Sequence, residues 1–156
     1  MVVTGVRFIE KDRVIHIQIQ QGELMREGEL DNGTFEWIEV EDFEYISNET
    51  AGVFYKLEET NKIPLVEGKD YAMFGSKQRT LYLDEVIAPI DMIVTGVRLN
   101  HVDSQKSEKL YTSPIHLEIH VTQYEYESGK LKENMSRWIT SETMPYPSVD
   151  YDRDRY

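Results

Sequence analysis

The stretch VVTGVRF, Val2–Phe8, returns as IVTGVRL at Ile93–Leu99. The residues downstream of each copy also match. Ile15-His16-Ile17-Gln18-Ile19 pairs with Ile115-His116-Leu117-Glu118-Ile119. Gly28-Glu29-Leu30 pairs with Gly129-Lys130-Leu131, and Trp37-Ile38 with Trp138-Ile139. Order and spacing are kept, apart from a longer connection, HVDSQKSEKLYTSP, in the second copy. Such ordered self-similarity is a duplicated supersecondary unit. One unit cannot bury its apolar face alone, whereas two or three packed together can.

Each unit reads as a strand, a connection, a second strand, a hairpin and a third strand bearing tryptophan. Ile15, Ile17 and Ile19 alternate with His16, Gln18 and Gln20, and Ile115, Leu117, Ile119 and Val121 with His116, Glu118 and His120. Period two marks a strand with one buried face. Glycine, asparagine and proline clusters punctuate the runs, and no window keeps a 3.6 period over a helix length. The expected fold is all-β and antiparallel, either a β-prism or a β-sandwich built from duplicated strand units. Residues 2–141 form one domain, with repeats 2–50 and 93–141 joined by strand-rich 51–90. Residues 142–156 read as a flexible acidic tail. The glycine of TGVR is expected at a bulge or a close backbone approach. Val6 and Phe8 are expected to face inward and Arg7 outward. Ile17 and Leu117 are expected in the core, as are both tryptophans, with His16 and His116 outside.

The 156 residues carry a net charge of −12. That balance argues against nucleic acid, whose affinity comes mostly from cations on phosphates, and against an anionic membrane surface. No apolar stretch approaches a membrane span. The chain has no cysteine, which excludes disulfides, zinc-thiolate sites and cysteine nucleophiles. Three of its five asparagines, Asn32, Asn48 and Asn134, open N-x-Ser/Thr sequons. That excess points to a secreted glycoprotein, and Asn32 and Asn134 are expected to be accessible.

The V-x-T-G-V-R-F and I-H-I-Q-I-Q strands, with their return, resemble a domain of uncharacterised secreted arthropod proteins over most of residues 2–139. The resemblance implies an extracellular location and a β fold. The TGVR strands are also loosely similar to those of β-prism lectins and of the vitelline-membrane outer-layer fold. The glycine-rich sugar loop and terminal aspartate motif of jacalin-type lectins have no counterpart here.

The polar residues offer few signatures of catalysis. His116, Glu118 and His120 share one strand face, but the two histidines stand about 13 Å apart along a strand and cannot meet at one ion. No G-x-S-x-G or HExxH pattern appears. DYDRDRY, Asp150–Tyr156, places three aspartates alternately, yet lacks the glycine and glutamate of a calcium loop. No catalytic residue, metal or cofactor is assigned. The function expected is non-enzymatic extracellular recognition of a glycan or a protein, or else a structural or storage role in a secretion through self-association. The candidate binding residues are His101 and Tyr111 of the long connection, His116, Glu118 and His120 beside it, and Tyr124 and Tyr126 near the hairpin. Long polar loops on rigid sheets are where binding usually lives.

Overall fold

The computed structural model describes residues 1–47, 52–73, 79–102 and 113–141. Among them, β1 (Val2–Lys11), β2 (Val14–Leu24) and β3 (Leu30–Trp37) form one antiparallel sheet, in that order. β4 (Phe43–Ser47), β5 (Gly52–Leu57) and β6 (Lys62–Pro64) form a second. In the third, β7 (Leu81–Tyr82), β8 (Met92–His101) and β10 (Leu131–Ile139) all pair with β9 (Ile115–Tyr124). The short β7 contact, Leu81 with Ile115 and Tyr82 with His116, is parallel. The chain is thus all-β, with antiparallel sheets of three and four strands and no closed barrel among the described residues.

The duplication reaches the level of register. Gly5, Val6, Arg7 and Phe8 lie opposite Gln20, Ile19, Gln18 and Ile17. Gly96, Val97, Arg98 and Leu99 lie opposite His120, Ile119, Glu118 and Leu117. Both ladders slip immediately before the glycine, between Val3 and Gly5 and between Val94 and Gly96. The glycine therefore marks a β-bulge, as a glycine inside a strand run often does. Trp37 then faces Gln20 and Trp138 faces His120 across the next ladder.

The hairpin turns repeat as well. Gly28 has φ 75° and Gly129 has φ 72°, the left-handed region that glycine enters without strain. The turns dock on each other, with the Glu27 N–H donating to the Tyr126 carbonyl at 2.7 Å. A Cβ on Gly129 would collide with the Met25 carbonyl oxygen, whereas one on Gly28 would rest 3.5 Å from the Tyr124 hydroxyl.

The core is small and centred on β9, because that strand has neighbours on both edges. Val2, Leu24, Ile115, Ile119 and Val121 are its buried apolar residues. Here the structure corrects several expectations. Val6 and Phe8 share the apolar face with Ile17 and Ile19 but lie about half exposed. Trp37 and Trp138 are 37% and 39% exposed rather than core. Ile17 and Leu117 are only partly buried, while His116 is buried. Consecutive residues of β9 are buried, so both faces of that strand are covered and alternation along it does not separate core from solvent. The 142–156 tail lies outside the described residues.

Candidate functional site

Each letter of the repeated motif has a structural use. Thr4 Oγ1 donates to Gln20 Oε1 at 3.1 Å, and Thr95 Oγ1 lies 2.8 Å from His120 Nδ1. Gly5 and Gly96 leave room for tryptophan. A Cβ there would meet the Trp37 ring at 3.4 Å or the Trp138 ring at 3.6 Å, and Gln20 or His120 closer still. Val6 and Val97 turn to the apolar face. The arginine closes the arrangement from above. Arg7 Cζ sits 4.1 Å over the Trp37 ring and Arg98 Cζ 4.0 Å over that of Trp138. Arg7 Nε donates to Gln18 Oε1 at 2.8 Å, and Arg98 Nε to Glu118 Oε2 at 2.5 Å. The motif therefore builds the fold, and the covered ring faces do not offer an open platform for a sugar.

The polar row of the second unit belongs to the same construction. Glu118 Oε1 lies 2.8 Å from His116 Nε2. Burial pushes the Glu118 carboxyl up, but hydrogen bonds from His116 and Arg98, with their charges, outweigh it and hold the group below the usual carboxylate range. His120 is half-buried, tilted against Trp138 at 5.0 Å between ring centroids. His116, Glu118 and His120 do share one face, and the neighbouring register puts His101 on the other. His101 is fully buried. Tyr124 is partly buried and its hydroxyl lies against Gly28. Tyr126 is exposed. The six candidate binding residues that the structure describes thus do not converge, and Tyr111 lies outside the described residues. So does most of the long connection, whose base closes through the Val102 N–H and the Pro114 carbonyl at 2.8 Å.

A cleft of about 520 Å³ opens where β2 and β8 face the β4–β5 pair. Ile15, Ile17 and Ile19 form one wall, Val97 and Leu99 a second, and Phe43 and Phe54 a third. Residues 69–73 close the end. Its polar groups are largely engaged. Gln18 bonds Arg7 and the Ile38 carbonyl, His16 stacks on Phe43 at 5.2 Å, and Glu41 pairs with Lys56 at 2.7 Å. Glu39 and Asp70 leave negative charge at the rim, beside Lys69. The cleft is continuous in register with exposed Val6, Phe8 and Ile15. Sequence reasoning found the Ile15, Ile17, Ile19 stripe but not the cleft, because Phe43 and Phe54 come from the segment that lacks the repeat.

Asn32 and Asn134 are both exposed, in the outward excursions of β3 and β10. The sequon hydroxyls also serve those excursions. Thr34 Oγ1 donates to the Asp31 carbonyl at 2.7 Å, and Ser136 Oγ to that of Glu133 at 2.9 Å. Asn48 lies outside the described residues. Among the described residues no group of three His, Asp or Glu is placed to hold a metal, and no helix is long and apolar enough to cross a membrane. No family model, curated protein or solved structure matches the chain.

Proposed function

We propose that this chain is a non-enzymatic extracellular recognition module that takes an apolar side chain of a partner protein, flanked by basic residues, into the β2–β8 cleft. The cleft itself carries the reading. Its volume falls in the range of about 300–1,000 Å³ typical of ligand sites, and its walls are aliphatic and aromatic. A carbohydrate would need convergent polar groups and open aromatic faces. Here Gln18, Glu41 and both tryptophans are already engaged. The rim acids and the net charge of −12 favour a cationic partner. The three sequons support the extracellular placement, and expression in a secretory host followed by mass measurement with and without glycosidase tests it. Selection of peptides from a random display library tests the binding. Enrichment of an apolar residue beside Lys or Arg supports the reading, and enrichment of nothing refutes it.

A second reading, a self-associating structural or storage protein, is favoured by a different surface. Leu83, Ile87 and Ile90 follow β7 without a strand partner among the described residues, and Ile90 is 92% exposed. Sedimentation at rising concentration separates the two readings. A sedimentation coefficient that climbs with concentration, and does so less in Ile87→Glu, supports self-association.

A further inference from the structure

We infer that the cleft takes its partner as a short extended strand, added parallel to β2 along an open edge at Ile15 and Ile17. The inference rests on the cleft reading above and adds how the partner is held. Alternate residues of a strand present their N–H and C=O groups to opposite edges. The Ile19 carbonyl accepts the Ile38 N–H at 2.9 Å, so Ile15, Ile17 and Ile19 all face the β3 edge of β2. β3 pairs only with the far end of β2, from Gln20 to Leu24. Beyond Ile38 the chain leaves that edge, and Lys11 Nζ holds it by the Val40 carbonyl at 2.8 Å and by Asp42 at 2.6 Å. Among the described residues, nothing takes the ladder positions of Ile15 and Ile17 on this side. Val14–Ile19 all line the cleft, together with residues 38–41. Neighbouring residues point to opposite faces, so a cleft that touches all six runs along the edge of the strand.

The second unit shows what such an edge accepts. Ile115 and Leu117 stand opposite His101 and Leu99, as Ile15 and Ile17 stand opposite Glu10 and Phe8. There the edge is taken by β7, which runs parallel to β9 with Leu81 opposite Ile115 and Tyr82 opposite His116. The Ile115 N–H donates to the Thr80 carbonyl at 3.0 Å. With β7 in place Ile115 is fully buried, whereas Ile15 is exposed. An unpaired strand edge is a template for an extended segment, with main-chain bonds giving affinity and alternate side chains specificity. A residue set opposite Ile15 turns its side chain to the face of Ile15, Ile17 and Ile19, the aliphatic wall of the cleft. The rim acids Glu39 and Asp70 favour a basic residue in the same segment. The occupant is therefore an extended stretch of a partner protein that carries an aliphatic residue close to Lys or Arg. Arg79-Thr80-Leu81-Tyr82, which fills the equivalent place in the second unit, has the same chemistry.

The probe is the capped pentapeptide Arg-Thr-Leu-Tyr-Leu, a copy of residues 79–83, titrated into the full chain and followed by amide NMR. In the free protein the Ile15 and Ile17 amides should exchange at nearly open-chain rates, while the Ile115 amide is protected. Saturating peptide should slow exchange of Ile15 and Ile17 by about tenfold or more. In the parallel register the peptide's tyrosine N–H meets the Ile15 carbonyl and its leucine N–H points away. N-methylation at tyrosine should therefore weaken binding up to about tenfold, as the loss of one hydrogen bond does. N-methylation at leucine should leave it unchanged. A parent peptide that does not bind, or that binds without slowing Ile15 and Ile17, overturns strand addition. So does equal binding of the two N-methyl peptides, which leaves the cleft reading standing. A serine-for-leucine peptide that binds as well as the parent and still slows both amides supports strand addition and refutes the apolar reading of the cleft instead. Amides already protected in dilute free protein would mean that the chain fills its own edge. Protection that grows with protein concentration alone would give the edge to a second copy. Either result overturns the assignment to a partner protein.

Discussion

Arg98 lies 4.0 Å above the Trp138 ring and gives its Nε–H to Glu118, while Arg7 repeats the stack over Trp37 and gives its Nε–H to the neutral Gln18. The two arginines thus do the same packing with different electrostatic stakes. Removing Arg7 loses a stack and one hydrogen bond. Removing Arg98 also strips a partner from a buried carboxylate. Arg98→Ala should cost more stability than Arg7→Ala, by roughly 1–2 kcal/mol. Urea unfolding of the two variants checks this, and equal losses would show that Glu118 does not depend on Arg98.

The carboxylate of Glu118 also gives the fold an acid limit. Its folded-state proton affinity is lowered, so it contributes stability that is present above the unfolded value, about 4.3, and lost as pH falls through the lower folded value. Glu118→Gln, which copies Gln18 of the first unit, should flatten the acid limb of the stability curve. Thermal melts between pH 7 and 2 read the difference between the two slopes.

Gly28 and Gly129 form a matched pair with unequal surroundings. Each has a positive φ, so alanine at either should cost about 1 kcal/mol for backbone conformation. Only at Gly129 does the new methyl meet backbone, at the Met25 carbonyl. Gly129→Ala should therefore be the more destabilising of the two and should loosen the contact between hairpins. Faster exchange of the Glu27 amide, which donates to Tyr126, is the local readout.

Ile15 and Ile115 occupy equivalent strand positions, yet one is 72% exposed and the other fully buried. Ile115→Ala should cost about 2–5 kcal/mol. Ile15→Ala should change stability by less than about 0.5 kcal/mol. Guanidinium melts that rank them alike would mean the face of β2 is covered in solution.

How far the sequence reaches is clear from these pairs. The bulge at Gly5 and Gly96 was legible, because a glycine between β-branched residues in a strand has few other uses. The turn glycines Gly28 and Gly129 were legible from their shared offset. The tryptophans were not. Period two says which face a residue takes, and it cannot say that an arginine two strands over will close that face. Ile15 and Ile115 carry the same local pattern, and only the third sheet and β7 decide which is covered. The histidine face misled for a related reason. A strand covered on both sides buries its polar residues by pairing them, as His116 and Glu118 are paired.

The central claim is that the cleft between β2 and β8 recognises an apolar side chain set among basic residues. The most direct measurement is a selection of short random peptides on the wild type and on Val97→Trp, which fills the cleft without adding charge. The wild type should enrich peptides that combine an aliphatic or aromatic residue with Lys or Arg, and Val97→Trp, shown by its melt to be folded, should bind them at least tenfold more weakly. Equal binding by the two proteins, or enrichment without the apolar residue, would contradict the account.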